Sequence, residues 1–169
     1  MNGLLIAFEG IDGAGKRTQV ELLRQYLEEK GKKCTVYSYP DYSGSVFGKV
    51  LGEFLEKKSE LDVRAQFLMY AGDMLKDQET MKRALENGEA VICDRYISST
   101  AAYQSANGFK LERATSIQRE LELITPNLTF FLDVSVETSL ARKSAQKKEK
   151  NQKLDRFEEN KQFLEKVRA

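Results

Sequence analysis

The chain has 169 residues, 41% of them hydrophobic and 31% charged, with only two prolines. That excludes disorder, collagen and low-complexity tethers, and suits one domain that needs no disulfide or metal staple. The 27 Lys and Arg against 26 Asp and Glu leave a net charge of +1, so no global field draws the chain to nucleic acid or membrane. Histidine is absent, which removes every Ser-His-Asp arrangement and every His-ligated metal site.

Leu4 to Phe8 is apolar without alternation, the pattern of a strand buried on both faces of a parallel sheet, and it ends at Glu9 with no leader signature. From Thr18, Val20, Leu23 and Leu27 line one helix face, joined by Leu22 and Tyr26, and Gly31 stops it. Cys34 to Tyr39 is a mixed strand suited to a sheet edge. Val46, Val50, Leu51, Phe54 and Leu55 predict a second helix. Asp62 caps a long third helix carrying Phe67, Leu68, Ala71, Leu75, Met81 and Leu85 and ending at Gly88. Ala90 to Cys93 repeats the buried-strand pattern. Leu111 to Ile124 predicts a fourth helix, and Thr125-Pro126 turns the chain into the apolar strand Leu128 to Leu132.

Strands alternating with helices imply an α/β P-loop fold, a three-layer sandwich with a central parallel sheet flanked by helices, over a single domain of residues 1–169. Ligands in such sheets sit beyond the carboxyl ends of the strands. Cys34 and Cys93 lie in apolar or β-branched runs and read as core residues of a protein in the reducing cytoplasm. No stretch approaches the roughly 20 apolar residues that cross a bilayer.

Gly10-Ile11-Asp12-Gly13-Ala14-Gly15-Lys16 follows the first strand and opens the first helix. The glycines let successive N–H groups curl around phosphate oxygens, the helix N-terminus adds its positive end, and the Lys16 ammonium reaches the terminal phosphates. Arg17 stands where a Ser or Thr hydroxyl would hold Mg²⁺, with Thr18 one place later. Either phosphate oxygens, waters and a carboxylate hold the ion, or Arg17 adds positive charge beside the nucleotide. Asp94-Arg95-Tyr96 closes the third strand, where an acid can hold Mg²⁺ or orient an attacking oxygen and an arginine can fork between phosphates. Residues 142–156 carry seven basic residues, among them Arg142, Lys147, Lys148, Lys150, Lys153 and Arg156, against Glu149 and Asp155. Beside a P-loop this reads as a short flexible basic lid; taken alone it is a solvated helix face.

The segment Phe8 to Lys16 with Thr18-Gln19 resembles the P-loop of the thymidylate kinases. Asp94 to Gln104, Pro126 to Val134 and Leu154-Asp155-Arg156-Phe157-Glu158 resemble three further family segments in the same order. The resemblance implies transfer of the γ-phosphoryl of ATP to dTMP with Mg²⁺, in a homodimer. It places Gly10 to Thr18 and Arg142 at ATP, Lys16 on the donor phosphates, Arg95 on the phosphates in flight, Asp94 near Mg²⁺, and Asp12 between the P-loop and the acceptor. Around dTMP it places Asp12, Tyr39, Pro40, Tyr42, Phe67, Arg95 and Ser99, with Tyr70 stacked on the thymine, Thr100 and Gln104 facing the base, and Tyr103 crowding the 2′ position.

Met74 stands where the family commonly carries an acceptor-touching Arg, and Lys76 is the nearby cation that could compensate. Gly13 replaces a P-loop Arg found in one branch, so the lid is expected to supply that charge. The family pattern continues beyond Arg168 into a further strand and helix that the sequence, ending at Ala169, does not carry. A kinase of another nucleoside monophosphate, or a nucleotide-binding module without turnover, are the alternatives.

Overall fold

The computed structural model describes residues 2–169. Their elements run β1 (Leu4–Glu9), α1 (Lys16–Glu29), β2 (Cys34–Ser38), α2 (Val46–Leu55), α3 (Val63–Leu75), α4 (Gln78–Glu86), β3 (Ala90–Asp94), α5 (Ile97–Ala106), α6 (Leu111–Glu120), β4 (Leu128–Phe131), α7 (Val136–Glu149) and α8 (Lys161–Arg168). The strands form one parallel sheet in the order β2-β3-β1-β4. Alternation along β1 divides the core. Leu5 and Ala7 join Met74, Met81, Leu85, Val91, Cys93 and Tyr96 on one face, while Ile6 and Phe8 join Val20 and Ile92 beside α1 on the other. The β1–β3 register sets Phe8 opposite Asp94, so the P-loop and the Asp94-Arg95 pair leave the sheet at the same edge.

Several elements depart from the sequence expectation. The long third helix is two helices, α3 and α4, broken at Lys76-Asp77. There the Gln78 side-chain amide donates to the Met74 carbonyl at 2.9 Å, and Asp77 accepts the Tyr39 hydroxyl at 2.9 Å. The fourth helix ends early, at Glu120, because Glu122 turns the chain through a left-handed φ of 51°. β4 is not buried on both faces: as a sheet edge it leaves Leu128, Phe130 and Phe131 about half exposed. α5 has no sequence signature of its own, being built on Ser, Thr and Ala rather than a leucine stripe. The basic segment is the last two turns of helix α7 and then a loop, so its first half is helical.

Candidate active site

A cleft of about 1240 Å³ opens beyond the carboxyl ends of β1 and β3, where a parallel sheet places its ligands. The P-loop forms its floor. Gly10, Gly13 and Gly15 adopt φ of 137°, 76° and 98°, backbone that residues with a Cβ resist. Lys16, only 6% exposed, donates from Nζ to the carbonyls of Gly10 and Ile11 at 3.0 Å each. Burial and then the neighbouring Arg95 guanidinium push its pKa down to about 8, against the pull of Asp12, Asp94 and Glu9.

Arg95 stands in a left-handed conformation, φ 67°, held by its N–H donating to the Phe8 carbonyl at 2.9 Å. Such backbone costs a non-glycine residue roughly 1–2 kcal/mol and persists because the surroundings over-determine it. The guanidinium donates from Nη1 to the Gly10 carbonyl (2.9 Å) and Ser99 Oγ (3.1 Å), and from Nη2 to the Tyr103 hydroxyl (3.2 Å). Nη2 also pairs with the Asp12 carboxylate at 3.0 Å. Burial alone would raise the Asp12 pKa; Arg95, Lys16 and Lys143 override it and hold the carboxyl well below its usual range. Asp94, by contrast, is pushed up by burial, only partly opposed by Lys16 and Arg95.

Helix α7 packs directly on the P-loop. Ser139 Oγ donates to the Asp12 carbonyl, and Arg142 Nη1 donates to the Gly13 carbonyl at 3.2 Å. A Cβ at Gly13 would come within 2.6 Å of the Ser139 carbonyl oxygen, so the docked helix occupies the space a P-loop side chain would need. Behind it, the buried Glu158 pairs with Lys143 at 2.9 Å and Lys147 at 3.5 Å. Asp155 accepts the N–H groups of Phe157 and Glu158 at 2.9 Å. Burial, and then the charges of Glu158 and Asp12, push its pKa up to about 6.

Of the residues expected around the acceptor, Asp12, Tyr39, Pro40, Tyr42, Tyr70, Arg95, Ser99, Thr100 and Tyr103 line this cleft, as do Arg17, Thr18 and Asp94. The Tyr39 hydroxyl, however, is committed to Asp77. Phe67 is a correction: it is fully buried and stacked on Phe109 at 4.7 Å, a core residue away from the cleft. Gln104 is another, fully buried with neither amide atom paired and outside the cleft lining, on the inner side of α5 beside Tyr103. In the lid, Arg142, Lys147 and Lys150 reach the cleft, whereas Lys148 and Lys153 do not. Arg156 is spent elsewhere, on Glu60 at 2.7 Å and over the Phe54 ring at 4.4 Å. Lys76 does not replace the missing arginine, because Asp77 (2.5 Å), Asp41 and Asp73 surround its ammonium while Met74 is core. Sequence reasoning missed Lys49 and Gln146, which line the cleft from helix positions that carry no motif signal of their own, and gave Glu158 no role beyond its place in a family segment.

A strand, a phosphate loop and a helix, with a buried lysine and an arginine–aspartate pair facing one cleft and a cationic helix docked on the loop, define a P-loop nucleotide phosphotransferase. The sequence profile described as thymidylate kinase matches residues 8–169. The thymidylate kinase of Chlorobaculum tepidum is 36% identical over 163 residues, covering 92% of this chain and 75% of its own length. That of Bifidobacterium longum is 41% identical over 144 residues, covering 79% and 68%. The thymidylate kinase structure from Candida albicans superposes with a TM-score of 0.78 at 29% identity, covering 98% of this chain and 74% of the other. The chain belongs to the thymidylate kinase family.

Proposed function

We propose that the chain transfers the γ-phosphoryl group of ATP to dTMP, giving ADP and dTDP, and that the cleft residues divide the work as follows. The loop N–H groups and Lys16 hold the donor phosphates, and Arg95 holds the phosphoryl group in flight. Asp12, kept ionised, orients Arg95 until substrate arrives. Tyr70 and Thr100 face the acceptor base, and the Tyr103 ring closes the space a 2′-hydroxyl would need. Arg142, Lys147 and Lys150 meet transition-state charge from the lid. The carrying observation is the Arg95–Asp12 pair at 3.0 Å over the P-loop, fixed by the Gly10 carbonyl and the Ser99 hydroxyl on one side and open to the cleft on the other.

The donor set fits Mg²⁺, since Asp94 is a hard carboxylate at the strand end beside Lys16, although Arg17 supplies no hydroxyl. When bound, the ion would neutralise charge on the β- and γ-phosphates. A homodimer is supported by apolar side chains left exposed on neighbouring helices, notably Val46 (71%), Leu68 (55%) and Leu111 (53%). No helix among the described residues is long and apolar enough to cross a membrane, and we place the enzyme in the cytoplasm.

A coupled assay of ADP release with ATP, Mg²⁺ and, separately, dTMP, dUMP, UMP, CMP, GMP and AMP tests this reading. A strong response to dTMP and a weaker one to dUMP is expected. A larger response to another acceptor would move the substrate and leave the mechanism; silence throughout would sink the reading.

A further inference from the structure

Glu9 closes β1 and is 4% exposed, an expensive place for a carboxylate unless its oxygens are used. Both are. Oε1 accepts the Tyr96 N–H at 3.1 Å, and Oε2 accepts the Ser99 hydroxyl. Tyr96 is the N-cap of α5 and supplies no side-chain cap, so Glu9 provides from another strand the acceptor that this helix start lacks. The second bond has a directional consequence. With its proton given to Glu9, the Ser99 hydroxyl presents only lone pairs to its other neighbour, and that neighbour is Arg95 Nη1 at 3.1 Å.

The four Nη hydrogens of Arg95 thus fall into two sets. Those of Nη1 end on groups that belong to the scaffold, the Gly10 carbonyl and Ser99. Those of Nη2 end on Asp12 and Tyr103, which line the cleft and can be exchanged for phosphate oxygens. We propose that Glu9, through Ser99, is a positioning residue for Arg95: it fixes the polarity of the Ser99 hydroxyl and so anchors one edge of the guanidinium while the other works. Ser99 then serves as a relay within the protein and not as a contact to dTMP. The inference rests on the role given to Arg95 above.

The test is steady-state kinetics with ATP and dTMP on S99A, S99T, E9Q and R95K and on S99A and E9Q combined with R95K, alongside thermal melts. S99A removes the acceptor. E9Q turns an N–H toward Ser99, which then competes with Arg95 for the same lone pairs. Each should lower kcat about tenfold, the weight of one hydrogen bond to a charged group, with both KM values within about twofold. S99T, which keeps the hydroxyl, should restore kcat. In the R95K background, where no forked Nη1 exists to be anchored, S99A and E9Q should cost nothing further. A wild-type kcat in S99A, or the same loss in R95K as in the native background, would overturn the relay. S99A keeps the bond from Tyr96 to Glu9, so the test survives if E9Q fails to fold. A wild-type kcat in R95K would instead sink the role of Arg95 itself.

Discussion

On the donor side of the cleft the working groups are held by backbone. Lys16 rests on the loop carbonyls of Gly10 and Ile11 and Arg95 shares that of Gly10, each beneath a strand end whose register is set by the central sheet. On the lid side, Arg142, Lys147 and Lys150 project from the last turns of α7 and the loop beyond it. Their partners are few: one carbonyl for Arg142 and, for Lys147, the Glu158 carboxylate it shares with Lys143. The difference teaches how a site that must bind, close and release is divided. Geometry that has to be right before substrate arrives is built from strands and backbone. Charge that has to arrive with the substrate is carried on long side chains whose present partners can be left behind.

The sharpest way to break the comparison is Arg95→Ala. If the donor side is preorganised, turnover should fall by about 10³-fold or more, the scale of a lost transition-state arginine, with the circular dichroism spectrum unchanged. A near-normal kcat would remove Arg95 from the mechanism. Gly13→Ala probes the seam between the two sides. The new Cβ meets the Ser139 carbonyl at 2.6 Å in a left-handed backbone, so α7 must lift away. We expect a loss of tens-fold in kcat/KM, together with faster amide exchange along α7. An unaltered exchange pattern would show that the helix tolerates the displacement.

The two sides were not equally legible in the sequence. The P-loop and Asp94-Arg95 were readable because their chemistry depends on residue type at a fixed offset from a strand end, and a buried strand announces itself by an unbroken apolar run. Apart from the family segment at 154–158, the lid was readable only as charge. Which cations reach the cleft depends on helix phase, so Lys147 is in and Lys148 is out, and Arg156 is drawn off by Glu60 and the α2 terminus. Phe67 and Gln104 show the same limit on the acceptor wall, where Phe67 is core three positions from the lining Tyr70 and Gln104 is core one position from the lining Tyr103. The break between α3 and α4 was hidden because a side-chain amide, Gln78, stands in for a backbone hydrogen bond, and no periodicity records that.

Tyr103 tests how far preorganisation extends toward the acceptor. It both donates a surface against the sugar and accepts from Arg95 at 3.2 Å, so two variants are needed. Tyr103→Phe should lower kcat slightly and keep the preference for dTMP over UMP; Tyr103→Ala should reduce that preference by about tenfold or more, the value of a lost steric contact. An unchanged preference in the alanine variant would contradict the exclusion role. On the lid, the K147A/K150A double variant should lower kcat by about tenfold with the KM for dTMP unmoved, while K148A, pointing away, should be neutral. Equal effects from all three lysines would mean that only the net charge of the lid matters.

The smallest effect separates the two sides by pH. Burial, and then Arg95, push the Lys16 pKa down to about 8, a consequence of the desolvated donor side. ATP phosphates favour the ammonium and raise its pKa in the complex. Below pH 8 the free site already carries the proton, so binding moves none and the affinity is flat. Above pH 8 the free amine is neutral and binding must draw a proton from the buffer, so Kd rises about fourfold by pH 8.5 and about tenfold per unit beyond. Calorimetry in two buffers of different protonation enthalpy reads that uptake directly. Removing Arg95 withdraws a repelling cation, so in Arg95→Ala the rise in Kd should begin at higher pH. If wild-type Kd stays flat to pH 9.5, Lys16 is not desolvated, and the donor side is no more preorganised than the lid.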